Sequence, residues 1–232
     1  MPLLDHFHPP VRSAMQWGSF ASAWTNHIGD QVVALLPDEF LLDQAIKPSV
    51  RDSVDVDATR HTERVSPWYS TYQPGEPFAT RPTLFPDRFE VLVSREFGGR
   101  HLVAAIEIVA PGNKEPAGCV AFASKVASYL YEGISVLVVD VVTERRANLH
   151  DEIVRLMGMP DELRMPPDPP LYAAAYRPVL RDGRAEIDVW VNPFSVGDSL
   201  PTMPLRLIAD YFVPVELEAT YMETCRRRKL TV

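Results

Sequence analysis

The chain is poor in the features that mark the commonest functional classes. Its 232 residues contain two cysteines, Cys119 and Cys225, far apart and outside any CxxC pair, which excludes a disulfide framework and a cysteine-based zinc site. Both fall in expected helices and read as buried thiols. No apolar run reaches membrane-spanning length, and Met1-Pro-Leu-Leu-Asp-His lacks the basic start and apolar core of a secretion signal, so the expected location is the cytoplasm. Basic residues do not dominate either: the net charge is −8, whereas a protein that grips nucleic acid through phosphates needs a basic surface. The one dense basic cluster, Arg226-Arg-Arg-Lys229, suits the C-terminal end of a helix as well as it suits a binding tail. No serine-nucleophile elbow, phosphate loop or dinucleotide-binding glycine fingerprint occurs. His150-Asp-Glu-Ile-Val lacks the second histidine of a zinc helix and reads as a helix start with acids in its first turn.

What is present is a core-forming sequence, 46% hydrophobic, punctuated by 22 prolines. It is expected to be one domain, 1–232, of mixed α/β class. Met15 to Leu36 places Trp17, Phe20, Trp24, Ile28 and Val32 at helical spacing and stops at Pro37. His27 falls off that stripe and is expected to be exposed. Phe40–Ile46 and Val50–Val56 read as short strands, and Asp52, Asp55 and Asp57 near the second lack the glycine and closing glutamate of a calcium loop. Residues 58–86 lose periodicity and read as a loop excursion carrying Trp68, Tyr69 and Tyr72.

The most informative stretch is 88–142. Arg88 to Arg95 and His101 to Val109 form an expected hairpin across Phe97-Gly98-Gly99-Arg100. Ala117 to Tyr131 has helical spacing and ends at Gly133, and Val136 to Val142 follows as a strand parallel to the one before the helix. Asn148 caps a short helix, residues 149–157, and 159–170 is a loop. Leu171–Leu180 and Arg184–Phe194 flank Asp182-Gly183 as a second hairpin, residues 200–205 are an extended connection, and 215–228 is the last helix.

Within 88–142, Glu107 stands between Ile106 and Ile108 in an apolar strand, where an acid is costly unless paired, hydrogen-bonded or bound to a cation. Glu90 lies near the start of the preceding strand and reads equally as a solvated acid. Lys125 and Tyr129 lie one turn apart on one helix face. Lys114 follows Pro111-Gly112-Asn113 and reads equally as a turn residue. Asp140 reads either as a strand-end acid or as a residue that orients the site.

These residues carry a resemblance. Ala105-Ile-Glu107-Ile-Val-Ala-Pro111-Gly-Asn113-Lys114, Val138-Val-Asp140 and Leu200-Pro-Thr-Met-Pro204 resemble motifs of the DUF4058 family of uncharacterised bacterial proteins, although the family's opening Pro-Phe-Pro-Gly-Met-Asp-Pro box is missing. More distantly, the order acid, glutamate-bearing strand, helix with lysine and tyrosine, and strand ending in aspartate is similar to the restriction-endonuclease-like core, including its Uma2-type relatives. That resemblance implies a central mixed sheet flanked by helices, with a C-terminal hairpin and helix added. It also implies a nuclease or phosphodiesterase in which Glu90 and Glu107 hold Mg²⁺ or Mn²⁺ and a lysine orients water. The usual Glu-x-Lys would put that lysine at 109, where Val109 stands, so Lys125 or Lys114 takes its place, Lys125 being preferred. Two other readings stand beside it: a non-catalytic binding protein that kept the fold, and a self-associating structural component, for instance a homodimer, built on the Trp68–Tyr72 segment.

Overall fold

The computed structural model describes residues 2–47, 87–166, 168 and 170–230. The expected strand at Val50–Val56, the three aspartates beside it and the 58–86 excursion with its aromatics lie outside the described residues.

Strands rich in apolar residues build a six-stranded mixed sheet whose spatial order equals its chain order: β1 (Phe40–Lys47), β2 (Arg88–Glu96), β3 (Arg100–Ile108), β4 (Ser135–Asp140), β5 (Leu171–Arg181) and β6 (Arg184–Phe194). All neighbours are antiparallel except β3 and β4, which run parallel. Parallel neighbours need a crossover, and the chain supplies one in a helix, α3 (Pro116–Tyr131), after a 3₁₀ turn at Pro111–Lys114. Every residue of β4 is buried, as its unbroken apolar run Val136–Val139 requires of a central strand. The β2–β3 turn uses Gly98 and Gly99 at positive φ, and Asp182-Gly183 closes β5–β6 in the same way.

The two sheet faces carry different layers. On one lie α3 and α4 (Leu149–Leu156), the latter capped by Asn148, whose side chain accepts from Asp151 N–H. Buried His150 on α4 hydrogen-bonds Tyr176 Oη through Nδ1 at 2.6 Å, and its backbone N–H donates to Tyr172 Oη at 2.9 Å. Burial holds the His150 ring below its ordinary pKa, so the neutral form fits this site. The opposite face is covered by α2 (Trp17–Val33), which follows the short α1 (Val11–Ala14), by α5 (Leu217–Arg227), and by a two-stranded sheet of β7 (Thr202–Ile208) and β8 (Tyr211–Glu216).

The stripe Trp17, Phe20, Trp24, Ile28 and Val32 is buried, and Trp24 and Phe20 meet Tyr221 of α5 at ring-centroid distances of 5.3 and 5.4 Å. Trp24 Nε1 donates to Thr220 Oγ1, which satisfies the indole that burial would otherwise orphan. His27 is not an exposed residue: it is half-buried, and its Nδ1 shares a 2.7 Å hydrogen bond with Thr224 of α5, a partner 197 positions away that periodicity could not reveal.

Two further expectations are corrected. Residues 200–205 are not merely a connection, since Thr202 to Leu205 open β7. The last helix begins at Leu217, because Val215 belongs to β8. The loop 159–170 contains a 3₁₀ turn, Asp161–Leu163, and the Leu163 carbonyl lies 2.8 Å from His150 Nε2. The Leu171–Phe194 hairpin continues the central sheet through the β4–β5 ladder. Among the described residues no helix is long and apolar enough to cross a membrane.

Candidate functional site

The site begins with register. Glu90 on β2 pairs directly with Glu107 on β3, so both side chains leave the same sheet face, the one covered by α3. Like charges directly opposite each other on a sheet repel, and these two are also out of water: their side chains are 4% and 2% exposed. Such a pair needs a cation. Lys125 supplies it from the third turn of α3, with Nζ 2.7 Å from Glu90 Oε1 and 2.7 Å from Glu107 Oε2. The lysine side chain is 22% exposed, so the triad is closed on the sheet side and reaches solvent along Lys125. The same ammonium lies 5.2 Å from the centre of the Phe122 ring, one helical turn earlier on α3.

Local sequence places that lysine. Pro116 starts α3 where its missing N–H costs nothing, and Phe122, Ala123, Val126 and Leu130 turn toward the core. Lys125 therefore emerges at the flank of the buried stripe. Gly118 lets the first turn of α3 approach the preceding 3₁₀ turn: a Cβ there would stand 1.9 Å from the Gly112 carbonyl oxygen. A side chain here would have to displace the turn or the helix that carries Lys125.

The electrostatics follow from burial. Desolvation is the largest influence on Glu107 and raises its carboxyl to about 7, Lys125 acting in the opposite direction and Glu90 reinforcing the rise. Desolvation would lower the Lys125 ammonium, but Glu107 and Glu90 outweigh it and push it up, so it stays charged. Half-buried Tyr129 is raised by burial and then by Glu107 and Glu90, which puts its hydroxyl within the field of the carboxylates. Among the described residues Glu107 Oε1 is buried without a hydrogen-bond partner, an exception to the rule that buried polar atoms are satisfied.

The structure thus brings Glu90, Glu107, Lys125 and Tyr129 together. It also shows that Glu90 is buried rather than solvated. Lys114 is placed elsewhere: it is buried beside Asp140, with Nζ 2.8 Å from Asp140 Oδ2 and donating to the Val142 carbonyl at 3.2 Å. Asp140 shares the sheet face of Glu107, because Glu107 registers with Val138 and Asp140 stands two residues further. Its charge is balanced by Lys114, and its Oδ1 accepts from Val142 N–H. Val109 is fully buried.

Among the described residues no three His, Cys, Asp or Glu side chains converge as a ready cation cage. Two carboxylates suit a hard cation that keeps water and takes its remaining ligands from a substrate phosphate, as Mg²⁺ commonly does. The unpartnered Oε1 of Glu107 fits that chemistry. An open cleft lies apart from the triad: a space of about 940 Å³ between the end of α3 and the outer parts of β5, β6 and the β7–β8 turn. Its Arg177 and Arg181 are already ion-paired with Asp188, Asp210 and Glu186, so the chemical argument stays with the triad.

Reading the residues in sequence isolated Glu107 by its apolar neighbours and Lys125 by its helical partner Tyr129. The sequence reading passed over Gly118 as a positioning residue, and a glycine in the first turn after Pro116 was the available signal. No protein-family model, curated protein or solved structure matched the chain.

Proposed function

We propose that the protein is a cation-dependent phosphodiester hydrolase, with Glu90 and Glu107 holding Mg²⁺ or Mn²⁺ and Lys125 serving the substrate phosphate and the attacking water. The observation that carries this reading is the triad itself: two buried carboxylates opposed on adjacent strands, with one ammonium 2.7 Å from each and open to solvent on its own side. A bound divalent cation would polarise a phosphoryl oxygen and make coordinated water acidic. Lys125 would contribute a fixed positive charge at the solvent side, and Tyr129 a hydroxyl that burial keeps protonated.

The order of parts supports the restriction-endonuclease-like reading: Glu90 on β2, Glu107 on β3, Lys125 and Tyr129 on α3, Gly133, then β4 ending at Asp140. With Val109 sealed in the core, the lysine role passes to the helix. The DUF4058 resemblance belongs to the same proposal, as do a nucleic acid substrate and a cytoplasmic location. A second reading, a binding protein that kept the fold without the chemistry, is favoured by one feature, that Lys125 already neutralises both carboxylates.

Incubating purified protein with single- and double-stranded DNA and RNA separates the two. The proposal predicts cleavage that requires Mg²⁺ or Mn²⁺ and disappears in Glu107→Ala. Absence of cleavage favours the binding protein, and cleavage unchanged in that variant removes the basis of the proposal.

A further inference from the structure

We infer that Lys125 determines when the site takes up its cation: the ammonium is the resident counter-ion of Glu90 and Glu107, and a substrate phosphate draws it off as the divalent cation arrives. This rests on the cation-site reading above and goes beyond it by making cation uptake depend on substrate.

The geometry leads there in three steps. First, the two 2.7 Å contacts place the lysine nitrogen on one oxygen of each carboxylate, where a bridging divalent cation would also bind. Both cations cannot hold those oxygens together, since like charges at contact distance repel in a poorly solvated site. Second, the carboxylates cannot move away to make room. They project from paired positions in the middle of a sheet and are 4% and 2% exposed, whereas Lys125 sits on a four-carbon stem and is 22% exposed. The lysine is the mobile partner, and its way out leads to solvent. Third, an ammonium has three donors, and the carboxylates take two. A phosphate arriving from the open side meets the third and offers Lys125 a new anionic partner. As the lysine follows the phosphate, Glu90 and Glu107 are left with excess negative charge, and the unpartnered Oε1 of Glu107 adds a free acceptor. Cation and phosphate therefore bind each more tightly in the presence of the other, as linkage requires.

Calorimetric titration of the full chain with Mn²⁺, alone and with a phosphorothioate dinucleotide, tests this. In wild type the dinucleotide should raise Mn²⁺ affinity by at least about tenfold. Lys125→Met should bind Mn²⁺ alone at least about tenfold more tightly than wild type and gain little from the dinucleotide. Lys125→Arg, which retains the charge, should behave like wild type and control for damage to the helix. Glu107→Gln should lose Mn²⁺ binding in both conditions. Equal or weaker Mn²⁺ binding by Lys125→Met, with wild type binding well alone, overturns the inference and leaves the cation site standing. No Mn²⁺ binding by any variant, with or without dinucleotide, overturns both.

Discussion

At the scale of single residues, the chain holds two buried acid–lysine arrangements on one sheet face, and they differ in kind. Asp140 and Lys114 are 0% and 1% exposed, balanced one to one, and have no route to water. Removing one partner is expected to be costly because the other charge is stranded. Lys114→Met should destabilise by about 3–5 kcal/mol in urea denaturation, and adding Asp140→Asn should recover much of that loss. The Glu90–Glu107–Lys125 group carries two acids to one base, and the surplus negative charge is felt at Glu107. Because its carboxyl is raised to about 7 from an ordinary 4.5, the folded chain keeps a proton that the unfolded chain has released. Its contribution to stability is therefore full below 4.5 and is lost as pH rises through about 7. Urea denaturation at about pH 5 and about pH 8 should show this fall in wild type. Glu107→Gln, which cannot ionise, should lack that component, and an unchanged pH dependence in this variant would contradict the assignment.

At the scale of elements, the site depends on how α3 is seated. The Gly118 contact is with backbone, which cannot rotate aside, so Gly118→Ala must displace either the 3₁₀ turn or the helix. Gly29 in α2 offers the contrast: the nearest atom to its missing Cβ is the amide nitrogen of Gln44, at the end of a flexible side chain. Alanine there can be accommodated and gains up to about 1 kcal/mol of helix propensity. Gly29→Ala should thus be close to neutral in thermal unfolding, while Gly118→Ala should lower the melting temperature by several degrees, with about 2 kcal/mol lost. If both variants melt alike, Gly118 does not seat the helix. The elements also show what sequence could reveal. The β2–β3 hairpin was legible because Gly98-Gly99 marks its turn, and α3 because its helical spacing runs to Gly133. The β7–β8 hairpin was not, because its turn is Ala209-Asp210, with Ala209 at φ 45° and no glycine to announce it, and because prolines at 201, 204 and 214 suggest a connection.

At the scale of the whole molecule, the mixed class and the order of strands 88–142 could be read from period and punctuation, which are local signals. The β3–β4 parallel pairing followed from the intervening helix, a rule of connection rather than of sequence. What no local pattern supplied was convergence. Glu90 was named through the resemblance alone, and only register sets it directly opposite Glu107, while Lys114 is seated beside Asp140 instead. The acidic balance of the chain, −8 overall, means that a nucleic acid would have to be held by local groups rather than by a global field. A cation site here turns on the space between two glutamates. The most direct measurement is a crystal structure of the protein with Mn²⁺ and a phosphorothioate dinucleotide, read by anomalous scattering. It predicts a manganese peak bridging Glu90 and Glu107, with Lys125 turned away onto the phosphate. Lys125 still seated on both carboxylates, with no manganese beside them, would contradict it.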